Sequence, residues 1–135
     1  MDKLTLLFES TGRALLTLDE ILKMPLDTVV RDAAIQRFEY TFETTWKLLK
    51  LYLQTHEGIL CNSPKSCFRH AFKLGLLSLE HTEASLTMTD DRNLTSHTYI
   101  EAIAKAIYQK LPLYYQVMRE LYNTLQFRSQ STLVE

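Results

Sequence analysis

Three residues whose side chains can act on a phosphodiester fall close together in the chain: Arg92, Asn93 and His97. An arginine presents a planar fork of donors that binds phosphate, and a histidine can carry a proton near neutral pH. Asn93 and His97 are four positions apart and share a helix face, while Arg92 reaches the same place through its long side chain or because the helix breaks. The cluster predicts phosphate binding with proton transfer. The plain alternative is a surface arginine beside a histidine at a helix junction.

Two further groups of residues are weaker candidates. Basic side chains that recur every four positions could follow a phosphate backbone or form a solvated helix face: Lys65, Arg69 and Lys73. Charged residues farther upstream could form a strip for docking a partner, although two of them also make an ordinary i,i+4 pair: Glu39, Glu43, Lys47 and Lys50.

The two cysteines, Cys61 and Cys67, do not point to a metal centre. Their spacing, even with His70 added, is not that of a zinc site, and a fourth ligand is not evident. Because the sequence begins without a secretion signal, we expect both thiols to be reduced. We expect no metal and no cofactor.

Composition favours one packed helical domain. The chain has 135 residues, 46% hydrophobic and 23% charged, with three glycines and three prolines. That length suits a single core, so we expect one domain over residues 1–127 and a flexible C-terminal tail over 128–135. A net charge of −1 excludes a general positive field for a polyanion, and no apolar stretch approaches the length of a membrane span. We therefore expect a cytoplasmic protein with no membrane contact.

Apolar residues at three- and four-residue steps predict the first three helices. The first ends shortly before Pro25, and the second begins after Asp27 as N-cap and continues to about His56. The third has an N-cap serine before Pro64 and ends at about Leu74, ahead of a glycine.

The second half of the chain gives weaker boundaries. A fourth helical pattern lies between Ser78 and Asp91, with Leu79, Ala84, Leu86 and Met88 as its apolar positions. Thr98 and Glu101 form a Thr-x-x-Glu capping box, so the helix should restart near Tyr99 with His97 at the junction. Pro112 is incompatible with a helix interior, which places it at the start of a separate final helix. The predicted fold is an all-α, five-helix up-down bundle without strands; a separate helix from Pro112 would add a sixth segment to that count.

Two segments carry a resemblance to a known family. Arg92-Asn93-x-x-x-His97-x-Tyr99 resembles the Arg-polar-x-x-x-His motif of the HEPN family, helical domains often encoded beside minimal nucleotidyltransferases. Residues 31–50, RDAAIQRFEYTFETTWKLLK, resemble the long second helix of that family's nucleotidyltransferase substrate-binding branch. The two segments occur in the expected order and cover most of the bundle.

The resemblance implies a function for these residues. In such proteins the Arg and His are the active pair of metal-independent ribonucleases that work as homodimers, and some members are toxins of toxin-antitoxin pairs neutralised by the nucleotidyltransferase. Carried over, Arg92 would hold the scissile phosphate, His97 would move the proton, and Asn93 would orient either of them. Tyr99 would accept a nucleotide from the partner enzyme, unless its ring only packs on a neighbour.

The nucleotidyltransferase must be a separate subunit, because this chain has neither a Gly-Ser phosphate turn nor an Asp-x-Asp metal pair; Asp90 and Asp91 are adjacent. Two functions stay open. One is an RNA-cleaving or RNA-binding subunit controlled by that partner. The other is a non-catalytic adaptor that binds substrate or dimerises for it.

Overall fold

The computed structural model describes residues 1–134, and the side chains of residues 1–130. Within these residues five α-helices form a bundle in which each pair of sequence neighbours packs together, and a short 3₁₀ turn precedes the last helix. Their bounds are α1 Lys3–Leu22, α2 Thr28–Glu57, α3 Pro64–Lys73, α4 Leu79–Leu94, a 3₁₀ turn Thr95–His97, and α5 Glu101–Val134. The predicted all-α five-helix bundle is confirmed.

Caps set the helix ends in the first half as the sequence predicts. Asp27 accepts a hydrogen bond from the Val30 amide and opens α2, and Gly58 closes α2 with a left-handed backbone, φ 65°. Ser63 caps α3 in the same way, with Pro64 in its first turn. The core between α1, α2 and α5 is aromatic and aliphatic, with Phe38 stacked on the ring of Tyr114.

Pro112 does not begin a separate helix, so that prediction is wrong. It lies on the solvent side of one long α5 that continues across it. Proline removes one hydrogen bond and crowds the preceding turn, but apolar residues on both sides of it are buried against α1, α2 and α4. This packing keeps the helix continuous: Ala104, Ile107, Leu111, Tyr114, Val117, Met118 and Leu121.

The buried face of α4 is mainly hydroxylated, although two of the predicted apolar positions do face the core: Met88 is buried and Leu86 packs partly against it, and Leu79 is the position that is wrong. Leu79 is 60% exposed, whereas Thr82, Ser85 and Thr89 are buried with Met88. Each of the three hydroxyls donates to the carbonyl four residues earlier, at 2.7 to 2.8 Å. Because these polar groups are satisfied within their own helix, a packed face forms without an apolar stripe.

The expected capping box and the expected free thiols are also wrong. Thr98 has helical backbone angles and donates to the Thr95 carbonyl at 3.2 Å, so it cannot cap α5. The Glu101 carboxylate instead pairs with Arg31 of α2 at 2.5 Å, an interaction that lowers the pKa of Glu101 and raises the pKa of Arg31. The sulfur atoms of Cys61 and Cys67 are bonded to each other, because the tight α2–α3 connection brings their Cα atoms to 5.3 Å.

The predicted tail lies at the limit of the described chain. The backbone of α5 continues to Val134, while Glu135 and the side chains of residues 131–135 lie outside the described residues. The expected flexibility of residues 128–135 stays a prediction. Within residues 1–134, no helix is long and apolar enough to cross a membrane.

Candidate functional site

The segment 92–99 joins α4 to α5 at one end of the bundle. Arg92 and Asn93 lie in the last turn of α4, and His97 ends the 3₁₀ turn. Thr95 closes this connection, because its backbone N–H and its hydroxyl both donate to the Arg92 carbonyl, the hydroxyl at 2.7 Å. The α-helix therefore ends between Arg92 and His97. This is the second of the two alternatives given above, in which the helix breaks between these residues.

Three consecutive side chains fix the end of α4 to three different helices. Successive residues of a helix point about 100° apart, and here each finds its own partner. Asp90 pairs with Lys65 of α3 at 2.6 Å, Asp91 bonds to α5, and Arg92 pairs with Glu43 of α2 at 3.4 Å. The position of Arg92 is thus set by the whole bundle rather than by α4 alone.

Two partners hold the Arg92 guanidinium, but they do not use all of its hydrogen-bond donors. One terminal nitrogen, Nη2, faces Oε1 of Glu43, and the other, Nη1, donates to the Thr95 hydroxyl at 3.3 Å. Its Nε is buried and has no hydrogen-bond partner among the described residues. Since a guanidinium has five N–H donors, the group keeps donors for an added anion while its plane is already oriented.

Glu43 connects Arg92 to the middle of α2. Its second oxygen, Oε2, accepts from the Trp46 indole at 3.2 Å and lies 3.8 Å from the Lys47 ammonium. The sequence suggested only the Glu43 and Lys47 pair, because those two residues are one helical turn apart. The contact of Glu43 with Arg92 joins residues that are distant in sequence, and no local sequence pattern predicts it.

Asp91 is the most deeply buried charged residue of the site. Its Oδ2 accepts from the Tyr114 hydroxyl at 2.5 Å and from the Lys110 ammonium at 3.1 Å, both on α5. Burial raises the pKa of Tyr114, and the hydrogen bond to Asp91 adds to that rise, so the phenol stays protonated and donates. From the sequence, Asp91 was considered only with Asp90, as an adjacent pair that does not form an Asp-x-Asp metal motif, and its position beside Arg92 was the one local signal of a role in the site.

His97 and Tyr99 are exposed and adjacent. His97 Nδ1 lies 3.4 Å from the Tyr99 hydroxyl, and the rings meet edge to face with centroids 5.9 Å apart. Tyr99 is 80% exposed and precedes α5, so its ring does not pack into the bundle. Within residues 1–134 no hydrogen bond joins Arg92 to His97, and the side chain of Asn93 is exposed without a partner.

The weaker basic candidates do not converge on the site as a group. Lys65 is neutralised by Asp90, while Arg69 and Lys73 are exposed on α3. Their phosphate-binding role stays a prediction. The structure therefore offers an oriented cation, Arg92, and an accessible imidazole, His97, at opposite ends of one short turn.

The chain is similar to a described protein family and to a named bacterial protein. Residues 6–127 match the family described as "Nucleotidyltransferase substrate binding protein like". A Haemophilus influenzae protein named "Probable ribonuclease HepT" is 33% identical over 89 residues, which is 63% of this chain and 59% of that protein. The chain thus spans about three-fifths of the length of that curated relative.

Two solved structures are similar in fold. One, from Thermus thermophilus, is 46% identical with a TM-score of 0.83 over 85% of this chain and 98% of its own. The other, from Haemophilus influenzae, is described as the fold of a substrate binding domain of a nucleotidyltransferase. It is 23% identical with a TM-score of 0.65, covering 91% of this chain and 96% of its own, and it supports the fold alone.

Proposed function

Because the chain belongs to the nucleotidyltransferase substrate-binding-protein-like family, we propose that it is the helical subunit of a pair with a separate minimal nucleotidyltransferase and that it cleaves RNA through Arg92 and His97. The proposal depends on one observation, which is that Arg92 is held in place by its neighbours while His97 is accessible. Arg92 is oriented by Glu43 and Thr95 with donors to spare, and His97 stands exposed one turn later. The relative named as a ribonuclease supports the same activity.

The proposed chemistry uses only groups of this protein. His97 removes the proton from a ribose 2′-hydroxyl, whose oxygen attacks the adjacent phosphorus. Arg92 stabilises the charge that develops on the phosphate oxygens. The bond to the 5′-oxygen then breaks, and that oxygen takes a proton from a second imidazole, His97 of the other subunit in a two-fold dimer. Asn93 orients the phosphate or the imidazole, and no divalent ion takes part.

The direct test is to incubate the purified protein with single-stranded RNA and a chelator. We expect cleavage, and we expect its suppression when the partner nucleotidyltransferase is added. Because the chelator removes divalent ions, cleavage under these conditions depends on side chains alone. RNA that stays intact at high protein concentration would count against the ribonuclease.

A second candidate, the non-catalytic adaptor, is favoured by one observation. Arg92 already pairs with Glu43, and within the described residues it makes no bond to His97. If the protein is an adaptor, the wild type should bind the nucleotidyltransferase but should not cleave RNA. Arg92→Ala should then leave that complex unchanged. A ribonuclease would lose cleavage in the same variant.

We expect Tyr99 to be the residue that the partner modifies. It is the most exposed tyrosine among the described residues, and its hydroxyl lies beside His97. The phenol oxygen would form a bond to the α-phosphorus of ATP, lose its proton and release pyrophosphate. Mass spectrometry after incubation with partner and ATP should show added nucleotide monophosphate, and Tyr99→Phe should abolish that gain while Tyr40→Phe keeps it. A gain that persists in Tyr99→Phe would place the acceptor elsewhere.

We also expect a homodimer at micromolar concentration. Leu94 and Ile100 flank the 3₁₀ turn and are 41% and 43% exposed, an apolar surface suited to a two-fold contact beside the site. Light scattering should report twice the monomer mass, and Ile100→Glu should lower it. Leu60→Glu, at a more exposed residue of the α2–α3 connection, is the matched control. A wild-type monomer would contradict the shared site.

A further inference from the structure

A groove of about 390 Å³ lies between the start of α1 and the second half of α2. The proposed site does not use it. Its lining combines three lysines, one tryptophan, two leucines and one amide, and includes no carboxylate: Lys3, Leu7, Trp46, Lys47, Lys50, Leu51 and Gln54. In a chain whose net charge is −1, this is a local concentration of positive charge. We refer to it as the lysine groove.

An aromatic ring lies among these cations. The Lys50 ammonium is 5.7 Å from the centroid of the Trp46 ring, and the indole N–H is fixed by Glu43. Trp46 is only partly buried, so part of its ring remains accessible. Lysines that follow a phosphate backbone beside an aromatic ring on which a base can stack are the features that single-stranded nucleic acids require.

Glu43 links the lysine groove to Arg92. Glu43 contacts both Arg92 and Trp46, and positions 43, 46, 47, 50 and 54 form one stripe of α2 at three- and four-residue steps. With a rise of about 1.5 Å per residue, the stripe from Glu43 to Gln54 extends roughly 16 Å along the helix. A bound strand could therefore contact the groove while one of its phosphates reaches Arg92.

We propose that the lysine groove binds single-stranded RNA on one side of the scissile phosphate. A base stacks on Trp46, and the neighbouring phosphates contact Lys47 and Lys50. This inference rests on the proposed ribonuclease function, since it assigns the path by which that substrate enters the site. The groove's charge favours RNA over a protein partner, because three lysines line it and the one carboxylate beside it, Glu43, already pairs with Arg92 and Trp46 and lies 3.8 Å from Lys47.

The single tryptophan of the chain supplies a direct measurement. Titration with an uncleavable 2′-O-methyl RNA of roughly eight nucleotides should quench Trp46 fluorescence, since that length falls in the usual range of single-strand sites. Lys47→Gln/Lys50→Gln should weaken binding on the order of tenfold and reduce the slope of log affinity against log salt by about 1.4. Lys23→Gln/Lys105→Gln changes the net charge equally outside the groove and should match the wild type.

The outcomes separate this inference from the proposed function. Quenching that is lost in Lys47→Gln/Lys50→Gln supports the groove even if the wild-type protein cleaves no RNA. Cleavage and RNA affinity that are the same in both double variants would overturn the groove and leave the ribonuclease standing. If Lys47→Gln/Lys50→Gln loses the nucleotidyltransferase but keeps RNA affinity, the groove is a partner surface and the inference is wrong. Unchanged circular dichroism and Tm would show that both variants fold.

Discussion

Arg92→Ala and His97→Ala should each slow RNA cleavage by a factor on the order of 10² to 10⁴, because one removes the group that stabilises phosphate charge and the other removes the proton carrier. Single-turnover cleavage of a labelled RNA in chelator measures the rate constant directly. Arg13→Ala and His56→Ala remove the same residue types outside the site and should retain the wild-type rate. Equal rates in all four variants would exclude this pair as the catalytic one.

Arg92→Ala and His97→Ala should differ in their effects on the rest of the structure. Removing Arg92 also leaves Glu43 without one partner, so Arg92→Lys is a useful second variant that keeps the charge but loses the planar fork. It should remain well below the wild-type rate. The side chain of His97 is exposed, and its contact among the described side chains is with Tyr99, so His97→Ala should leave Tm unchanged.

A mixture of Arg92→Ala and His97→Ala protomers tests whether the site is shared. In the part of the chain that the structure describes, Arg92 and His97 make no hydrogen bond to each other. If each site takes Arg92 from one subunit and His97 from the other, a mixed dimer contains one intact site and regains part of the activity. A site formed within one chain would gain nothing from mixing. The wild-type mixture with either variant calibrates subunit exchange.

Asp91→Ala should destabilise the protein by roughly 1 to 3 kcal/mol, the usual cost of leaving a buried donor without its acceptor. The hydroxyl of Tyr114, a buried residue of α5, would lose its partner, while Lys110 is 46% exposed and can be hydrated. Thermal and urea unfolding measure the loss. Asp90→Ala is the adjacent control, because its ion pair with Lys65 is partly exposed and such pairs contribute less than about 1 kcal/mol.

The double variant Asp91→Ala/Tyr114→Phe sharpens this prediction. Without the hydroxyl, no donor is left unsatisfied, so the combined loss should be smaller than the sum of the two single losses. Additive losses would mean that the hydrogen bond between Asp91 and Tyr114 does not determine stability. Cleavage should also fall in Asp91→Ala, because Asp91 fixes the turn of α4 that carries Arg92.

The fold could be predicted in large part because its signals are local. Asp27, Gly58 and Ser63 act at helix ends through contacts within a few residues, and their identity suffices to place those ends. The errors have a common physical cause. Pro112, the hydroxylated face of α4 and the pairing of Glu101 with Arg31 all depend on tertiary packing or distant partners, which outweigh a local pattern.

The residues of the candidate site also divide into those that local sequence suggests and those that only tertiary packing brings together. Arg92, His97 and Tyr99 could be proposed as site residues because they lie in one short segment that resembles a family motif. Glu43 and Tyr114 could not, because their contacts with residues 91 and 92 form only when α2 and α5 pack around α4. The disulfide between Cys61 and Cys67 was missed for another reason, since the expectation of reduced thiols came from the cellular compartment rather than from the chain's geometry.

The chemical ends of the RNA fragments report which oxygen attacks the phosphorus and which oxygen leaves. Purified wild-type protein in chelator should produce 2′,3′-cyclic phosphate and 5′-hydroxyl ends, because a 2′-oxygen attacks the phosphorus and the 5′-oxygen leaves. His97→Ala purified in the same way should produce neither, and RNA with a 2′-deoxy sugar at the cleaved position should stay intact. Fragments with 3′-hydroxyl and 5′-phosphate ends, or cleavage that appears only with magnesium, would contradict a reaction carried by Arg92 and His97.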